Sequence, residues 1–153
     1  MDFRIVSNSE DETQELGRKI GSQLKGGEVV ALSGLLGSGK TYLIKGIAAG
    51  AGAEDAGRVV NSPTFVIVNE YAGRFEIYHI DAYRLDSLNE FEMLGFDDYC
   101  GPASVVLIEW ADKIESALQG TDYIRIELVH RGETKREIFI TNSPAYLKVT
   151  QDR

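Results

Sequence analysis

The residues best equipped for chemistry lie in one block, Gly34-Leu35-Leu36-Gly37-Ser38-Gly39-Lys40-Thr41, which satisfies the pattern G-x-x-x-x-G-K-[ST]. Each residue type has a use there. Glycines let successive backbone N–H groups converge on phosphate oxygens, and the positive end of a following helix adds to them. Lys40 reaches the β and γ oxygens, and Thr41 offers a hydroxyl to Mg²⁺. The chemistry is the binding of a nucleoside triphosphate; the plainer alternative is a glycine-rich turn with a surface lysine. Hydrolysis or phosphoryl transfer also needs a carboxylate beside the metal, usually at the end of a buried strand. Asp81 closes "FEIYHID" and Glu109 closes "SVVLIE", where four apolar residues precede the acid. The residues alone leave open which of the two meets Mg²⁺ and which orients an attacking water. Either one also fits a solvated acid that begins a loop.

Other chemistry is weaker. His79 and Cys100 are the types of a Cys-His nucleophilic pair, yet His79 sits inside an expected strand and nothing in the spacing joins it to Cys100, so structural roles are expected for both. Metal-site spacing of Cys and His is absent. Trp110, next to Glu109, reads as core packing ahead of partner contact. No Asn/Thr-Lys-x-Asp guanine reader occurs, which favours ATP over GTP.

The elements that must position these residues can be read from periodicity. Ser9 stands three residues before Glu12, as in a capping box, and Leu16, Ile20 and Leu24 repeat at four-residue spacing, so residues 10–25 are expected to form an amphipathic helix ended by Gly26-Gly27. "EVVALS" is an almost unbroken apolar run, suited to a strand covered on both faces in a parallel sheet. "KTYLIKGIAAGAG" places Leu43, Ile44, Ile47 and Ala48 on one helical face until Gly50 and Gly52 interrupt it. The order is strand, glycine loop, helix. "GAEDAGRVVNSPT" reads as a loop, and "FVIVNEY" with "RFEIYHI" as a hairpin about Ala72-Gly73. A short helix is expected from Ser87, a second buried strand at "SVVLIEW", and a helix over "ADKIESALQG" stopped by Gly120. "YIRIELVH" and "REIFIT" alternate apolar and polar residues about Gly132, as an antiparallel pair does. The expected architecture is α/β, a three-layer sandwich on a mainly parallel sheet with antiparallel additions.

With 153 residues, 43% of them hydrophobic, the chain suits one domain spanning residues 1–153. Sixteen basic against 24 acidic residues give a formal charge of −8, which disfavours direct grip of a phosphate backbone and makes any nucleic-acid role indirect. The single cysteine, Cys100, cannot form an internal disulfide. No basic and apolar leader precedes "SNSEDET", and no apolar run approaches the ~20 residues that cross a bilayer. A cytoplasmic protein without membrane insertion is expected.

Four blocks in a distinctive order add specificity: "GLLGSGKT"; "NSPTF" with "VNEY"; "YHIDAYRL" followed by "EFEMLGF"; and "VLIEW". Over residues 9–140 the chain resembles the TsaE (YjeE) family, small bacterial ATPases of tRNA threonylcarbamoyladenosine synthesis. The phosphate loop alone is shared by many NTPases; S-P-T-[FY], H-x-D-x-Y-R and [IV]-E-W in this order are far more selective. The resemblance implies a P-loop NTPase fold and an ATP cycle, with Mg²⁺, coupled to a TsaB–TsaD complex. That complex transfers the threonylcarbamoyl group to the adenosine beside the anticodon, so tRNA is met only indirectly. It also implies that Leu35, Leu36, Gly37, Ser38, Gly39, Lys40 and Thr41 hold the phosphates, with Lys40 catalytic and Thr41 on the metal. Ser62, Pro63, Thr64 and Phe65 match a switch-like segment. Asp81 takes a catalytic or water-positioning role and Glu109 that of the Mg²⁺ carboxylate. Thr13 matches a position near the nucleotide base, and Lys135 or Arg136 in "GETKRE" a basic residue that approaches the nucleotide. The loop departs from the family at Leu35, in place of the Asp-bearing Gly-Asp-Leu-Gly, at Ser38 for a common Ala, and at Tyr42 for a second Thr. Because the loop works through backbone N–H groups, Leu35 and Ser38 need not weaken phosphate binding.

The leading expectation is therefore an ATPase, slow until a partner orders its switch segment, and by itself a monomer or weak homo-oligomer. A small-molecule P-loop kinase is the alternative; it calls for an arginine-bearing lid, whereas Arg58, Arg74 and Arg84 are scattered. A non-hydrolysing nucleotide sensor is the third class.

Overall fold

The computed structural model describes residues 2–34, 39–54, 58–60, 67–83 and 88–149. Its strands are β1 (Phe3–Ser7), β2 (Val29–Ser33), β3 (Arg58–Val60), β4 (Ile67–Ala72), β5 (Glu76–Asp81), β6 (Ser104–Glu109), β7 (Ile124–His130) and β8 (Arg136–Thr141). Its helices are α1 (Glu10–Gln23), α2 (Lys40–Gly50), α3 (Leu88–Leu94) and α4 (Phe96–Tyr99), with a 3-10 helix at Ala111–Leu118.

The strands form one sheet in the order β1-β8-β7-β2-β6-β5-β4-β3. β2 lies parallel between β7 and β6, and β5 continues that parallel set beyond β6. The β1–β8, β7–β8, β3–β4 and β4–β5 pairings are antiparallel and extend the sheet on both sides. Sequence pattern follows position. All five residues of β2 are buried, as are Val105–Ile108 of β6, because helices cover both faces at the centre. In β7 only Ile124, Ile126 and Leu128 turn inward, while Arg125 and Glu127 remain outside.

Two cores make this a three-layer structure. On one face Leu16 and Ile20 of α1 and Leu43, Ile44 and Ile47 of α2 pack on Val30, Leu32, Leu107, Ile126 and Ile138. On the other, Phe91, Phe96, Ile114 and Leu118 cover Val29, Ala31, Val106 and Ile108. α1 begins as its sequence requires: Ser9 Oγ accepts from the Glu12 amide at 3.1 Å, and Glu10, Asp11 and Glu12 oppose the positive helix end.

α1 and α2 approach so closely that only glycine fits between them. A Cβ on Gly21 would lie 2.0 Å from the Ile47 carbonyl oxygen, and one on Gly46 2.1 Å from that of Gln14. At the far end, Arg74 from the β4–β5 turn closes both helices: Nη1 donates to Gly50 O at 2.7 Å and Nη2 to Gly21 O at 2.8 Å. It thereby satisfies carbonyls that a helix terminus leaves unpaired.

Several elements depart from the sequence reading. β1 was not anticipated, since its partner β8 lies over a hundred residues away; β3, read as loop, has only three residues and too little length for a periodic signal. α4 is likewise a single turn. The expected helix at "ADKIESALQG" is present as a 3-10 helix, broken at Ile114 (φ −126°, ψ 22°). Tight three-residue turns bring both Ala111 and Ile114 into the core, with 6% and 1% exposure.

Candidate functional site

The glycine loop leaves β2 at Ser33 and enters α2 at Lys40, at the carboxyl ends of the central parallel strands, where open α/β sheets bind ligands. Leu35, Leu36, Gly37 and Ser38 lie outside the described residues, as do Ser62–Phe65 and Arg84. Both ends of the loop are described. Gly39 is the N-cap of α2 in the left-handed region (φ 101°), a conformation suited to glycine, and gives the helix no side-chain cap. Thr41 is exposed in the first turn. A helix start that takes no side-chain cap from Gly39, with the exposed Thr41 in its first turn, is a fitting cradle for phosphate.

Lys40 is 4% exposed. Its Nζ donates to Gly34 O at 2.6 Å and lies 3.8 Å from the centre of the Trp110 ring. Burial pulls its pKa below the ordinary lysine range, and the charges of Glu109, Asp112 and Asp81 act against that fall. Trp110 thus does more than fill a core. It is half-buried, holds the left-handed φ of 62° that few non-glycine residues adopt, offers its ring face to the lysine, and packs at a tilt of 47° against Tyr83, 4.8 Å away between ring centres.

The two candidate acids meet at this point. Asp81 and Glu109 are register partners on the adjacent parallel strands β5 and β6, and Leu32 of β2 is the next partner of Glu109. Asp81 Oδ1 accepts from the Tyr83 amide at 3.0 Å, which fixes the turn after β5. Glu109, with its side chain 12% exposed, accepts from His79 at 3.1 Å between Oε1 and Nε2. Among the described residues no group of three or more His, Cys, Asp or Glu side chains gathers into a metal cage. The donor set instead suits Mg²⁺, which keeps several waters and takes one or two carboxylates with phosphate oxygens.

The remaining expectations separate. Thr13 is fully buried in the joint between β1 and α1, its hydroxyl 2.7 Å from Ser7 Oγ and donating to Ser9 O. Lys135 is exposed, whereas Arg136 is 6% exposed with its Nε 3.2 Å from where a Gly39 Cβ would stand. Of the two basic residues, Arg136 is the one beside the phosphate loop. Alternation along β8 carries that signal, because Arg136 shares the inward face with Ile138 and Ile140. The same alternation in β5 puts His79 on the face of Ile77 and Asp81, a neighbourhood that the sequence reading of His79 missed. His79 and Cys100 do not pair: Cys100 packs against the opposite core, and burial pushes its thiol pKa up. Concavities of about 330 Å³, bordered by Glu28 and Tyr146, and about 380 Å³, bordered by Phe91 and Phe96, lie away from Lys40. No helix among the described residues is long and apolar enough to cross a membrane.

Comparison with known proteins shows the family. The tRNA threonylcarbamoyladenosine biosynthesis protein TsaE of Bacillus subtilis is 40% identical over 132 residues, which are 86% of this chain and 80% of that protein. Its counterpart in Treponema pallidum is 39% identical over 116 residues, 76% of this chain and 84% of the relative. The crystal structure of YdiB from Bacillus subtilis superposes with a TM-score of 0.68 at 29% identity, covering 92% of this chain and 84% of that one. The family model of the threonylcarbamoyl adenosine biosynthesis protein TsaE matches residues 7–138, and the chain belongs to the TsaE family of tRNA threonylcarbamoyladenosine biosynthesis.

Proposed function

We propose that the chain binds Mg²⁺–ATP at the carboxyl ends of β2, β6 and β5, hydrolyses it, and so supports the catalytic cycle of a TsaB–TsaD complex acting on tRNA. One observation carries this reading: Lys40, Asp81 and Glu109, far apart in sequence, converge beside the start of α2. The backbone of the glycine loop and Thr41 would hold the phosphates, and Glu109 with Thr41 the metal. Bound Mg²⁺ would supply neutralising charge for the terminal phosphate oxygens. Lys40 brings a buried positive charge to the same place, where low polarisability of the surroundings makes it effective. Asp81 offers a carboxylate fixed by the Tyr83 amide, suited to holding a water in line for attack. Trp110 and Gly34 O keep the lysine in place beside the carboxylates.

The formal charge of −8 supports contact with a protein complex that itself holds the tRNA, since an acidic surface repels a phosphate backbone. The kinase alternative loses ground at Arg74, which is committed to the helix carbonyls of Gly21 and Gly50 and serves no lid. The test is ATP turnover with and without TsaB–TsaD, alongside multi-turnover tRNA modification. Stimulation by the complex is the expected result. Absence of both stimulation and any effect on modification would refute the coupling, and transfer of label from ATP to a metabolite would restore the kinase.

A further inference from the structure

A nearly buried carboxylate needs donors to replace the water it has lost. Glu109 obtains one from His79, whose side chain is itself only 11% exposed. Since a carboxylate accepts and does not donate, the ring proton resides on Nε2. The other ring nitrogen, Nδ1, is buried and finds no hydrogen-bond partner among the described residues. The hydrogen bond that His79 makes is aimed at an acid of the candidate site. In the sheet His79 pairs with Asn69 of β4 and with Leu107 of β6, two residues before Glu109 on β6.

The geometry points to His79 as a positioning residue, whose Nε2–H holds the Glu109 carboxylate in the orientation that receives Mg²⁺ and thereby sets the metal affinity of the site. This inference rests on the reading of Glu109 as the Mg²⁺ carboxylate. It is the counterpart of the hydrogen bonds that commonly orient metal-ligating groups from behind and whose loss costs ~10–100-fold in metal affinity.

Two measurements test it. In the nucleotide-free chain, ¹⁵N-resolved imidazole spectra contain only two histidines, His79 and the exposed His130. The His79 ring is expected to carry a proton on Nε2, facing Glu109; a ring with its proton on Nδ1 alone overturns the inference. The second is the Mg²⁺ dependence of binding of a fluorescent ATP analogue. His79→Gln returns an amide N–H close to the Nε2 position and should hold the half-saturating Mg²⁺ concentration within ~3-fold of wild type, whereas His79→Leu should raise it ~10-fold or more. Analogue binding without metal should be the same in all three. Equal Mg²⁺ dependence in the three proteins, or equal loss in both variants, overturns the positioning role. Should the leucine variant not fold, the glutamine variant and the tautomer decide. Wild-type chain that binds the analogue with no response to Mg²⁺ overturns the metal reading of Glu109 together with this one, an outcome distinct from the variant patterns.

Discussion

Replacing Gly46 by alanine sets two effects of opposite sign against each other. In an isolated helix the change gains about 1 kcal/mol, since glycine is the poorer helix former. Here the new Cβ would meet Gln14 O at 2.1 Å, Gln14 C at 3.0 Å and Gly17 Cα at 3.0 Å. All three atoms belong to backbone, so no rotamer change relieves the contact. To restore even a 3.0 Å approach the helices must part by 3.0 − 2.1 = 0.9 Å. A gap of that size forfeits a quarter to a half of the dispersion energy of each facing atom pair, and overpacking of this kind costs about 1–3 kcal/mol, occasionally more. The immovable partner places Gly46→Ala at the upper end, and after the propensity gain the net loss is about 2 kcal/mol. With a urea slope of about 2 kcal/mol/M for a domain of this size, the midpoint should fall by about 1 M. Ala49→Gly, at an exposed position of the same helix, calibrates propensity alone and should lose about 1 kcal/mol. Equilibrium urea unfolding followed by circular dichroism provides the measurement. A Gly46→Ala midpoint at or above that of wild type would refute the close-approach argument.

Three further predictions concern the site. Lys40→Met should abolish tight nucleotide binding without lowering stability at neutral pH, because burial already disfavours the charged form. Its folded pKa is lowered, so between that value and the ordinary lysine value the unfolded chain holds a proton the folded chain has released; wild-type stability should therefore rise relative to Lys40→Met as pH increases through that window, read from urea midpoints. Trp110 is the sole tryptophan and carries Lys40 on its face, so its emission should shift on addition of Mg²⁺–ATP, and Lys40→Met should change the ligand-free spectrum and remove that response. Asp81→Asn keeps the Oδ1 acceptor used by the Tyr83 amide, so it should retain fold and nucleotide affinity while hydrolysis falls ~10²-fold or more; a matching loss of stability would assign Asp81 to structure.

Much of the centre was legible because burial there is two-sided and local. "VVALS" and "VVLI" show unbroken apolar character, and Leu16, Ile20 and Leu24 mark one helix face, all as found. Asp81 and Glu109 could be placed at strand ends from their own segments. Their adjacency depends on β5 and β6 being neighbours in register, which is a property of the sheet and not of either segment. β1 escaped for the same reason, as its partner lies at the other end of the chain. The preference for Arg136 over Lys135 was within reach of period-two alternation, whereas the His79–Glu109 bond required the β5–β6 pairing to be known first.

The place of Arg74 at the ends of both helices has a mechanical consequence. Its guanidinium clamps the last turn of α2, and its backbone lies at the turn that leads into β5, so the two elements leave a common fastening. α2, at ~1.5 Å per residue, spans ~16 Å back to Lys40, and β5, at ~3.3 Å per residue, spans ~20 Å to Asp81. Helix and strand therefore act as two struts of a truss whose free corners carry the lysine and the aspartate. The glycine contact with α1 prevents the helical strut from sliding, and hydrogen bonds to β6 prevent the strand from doing so. The distance between the two charged corners is consequently built into the frame itself.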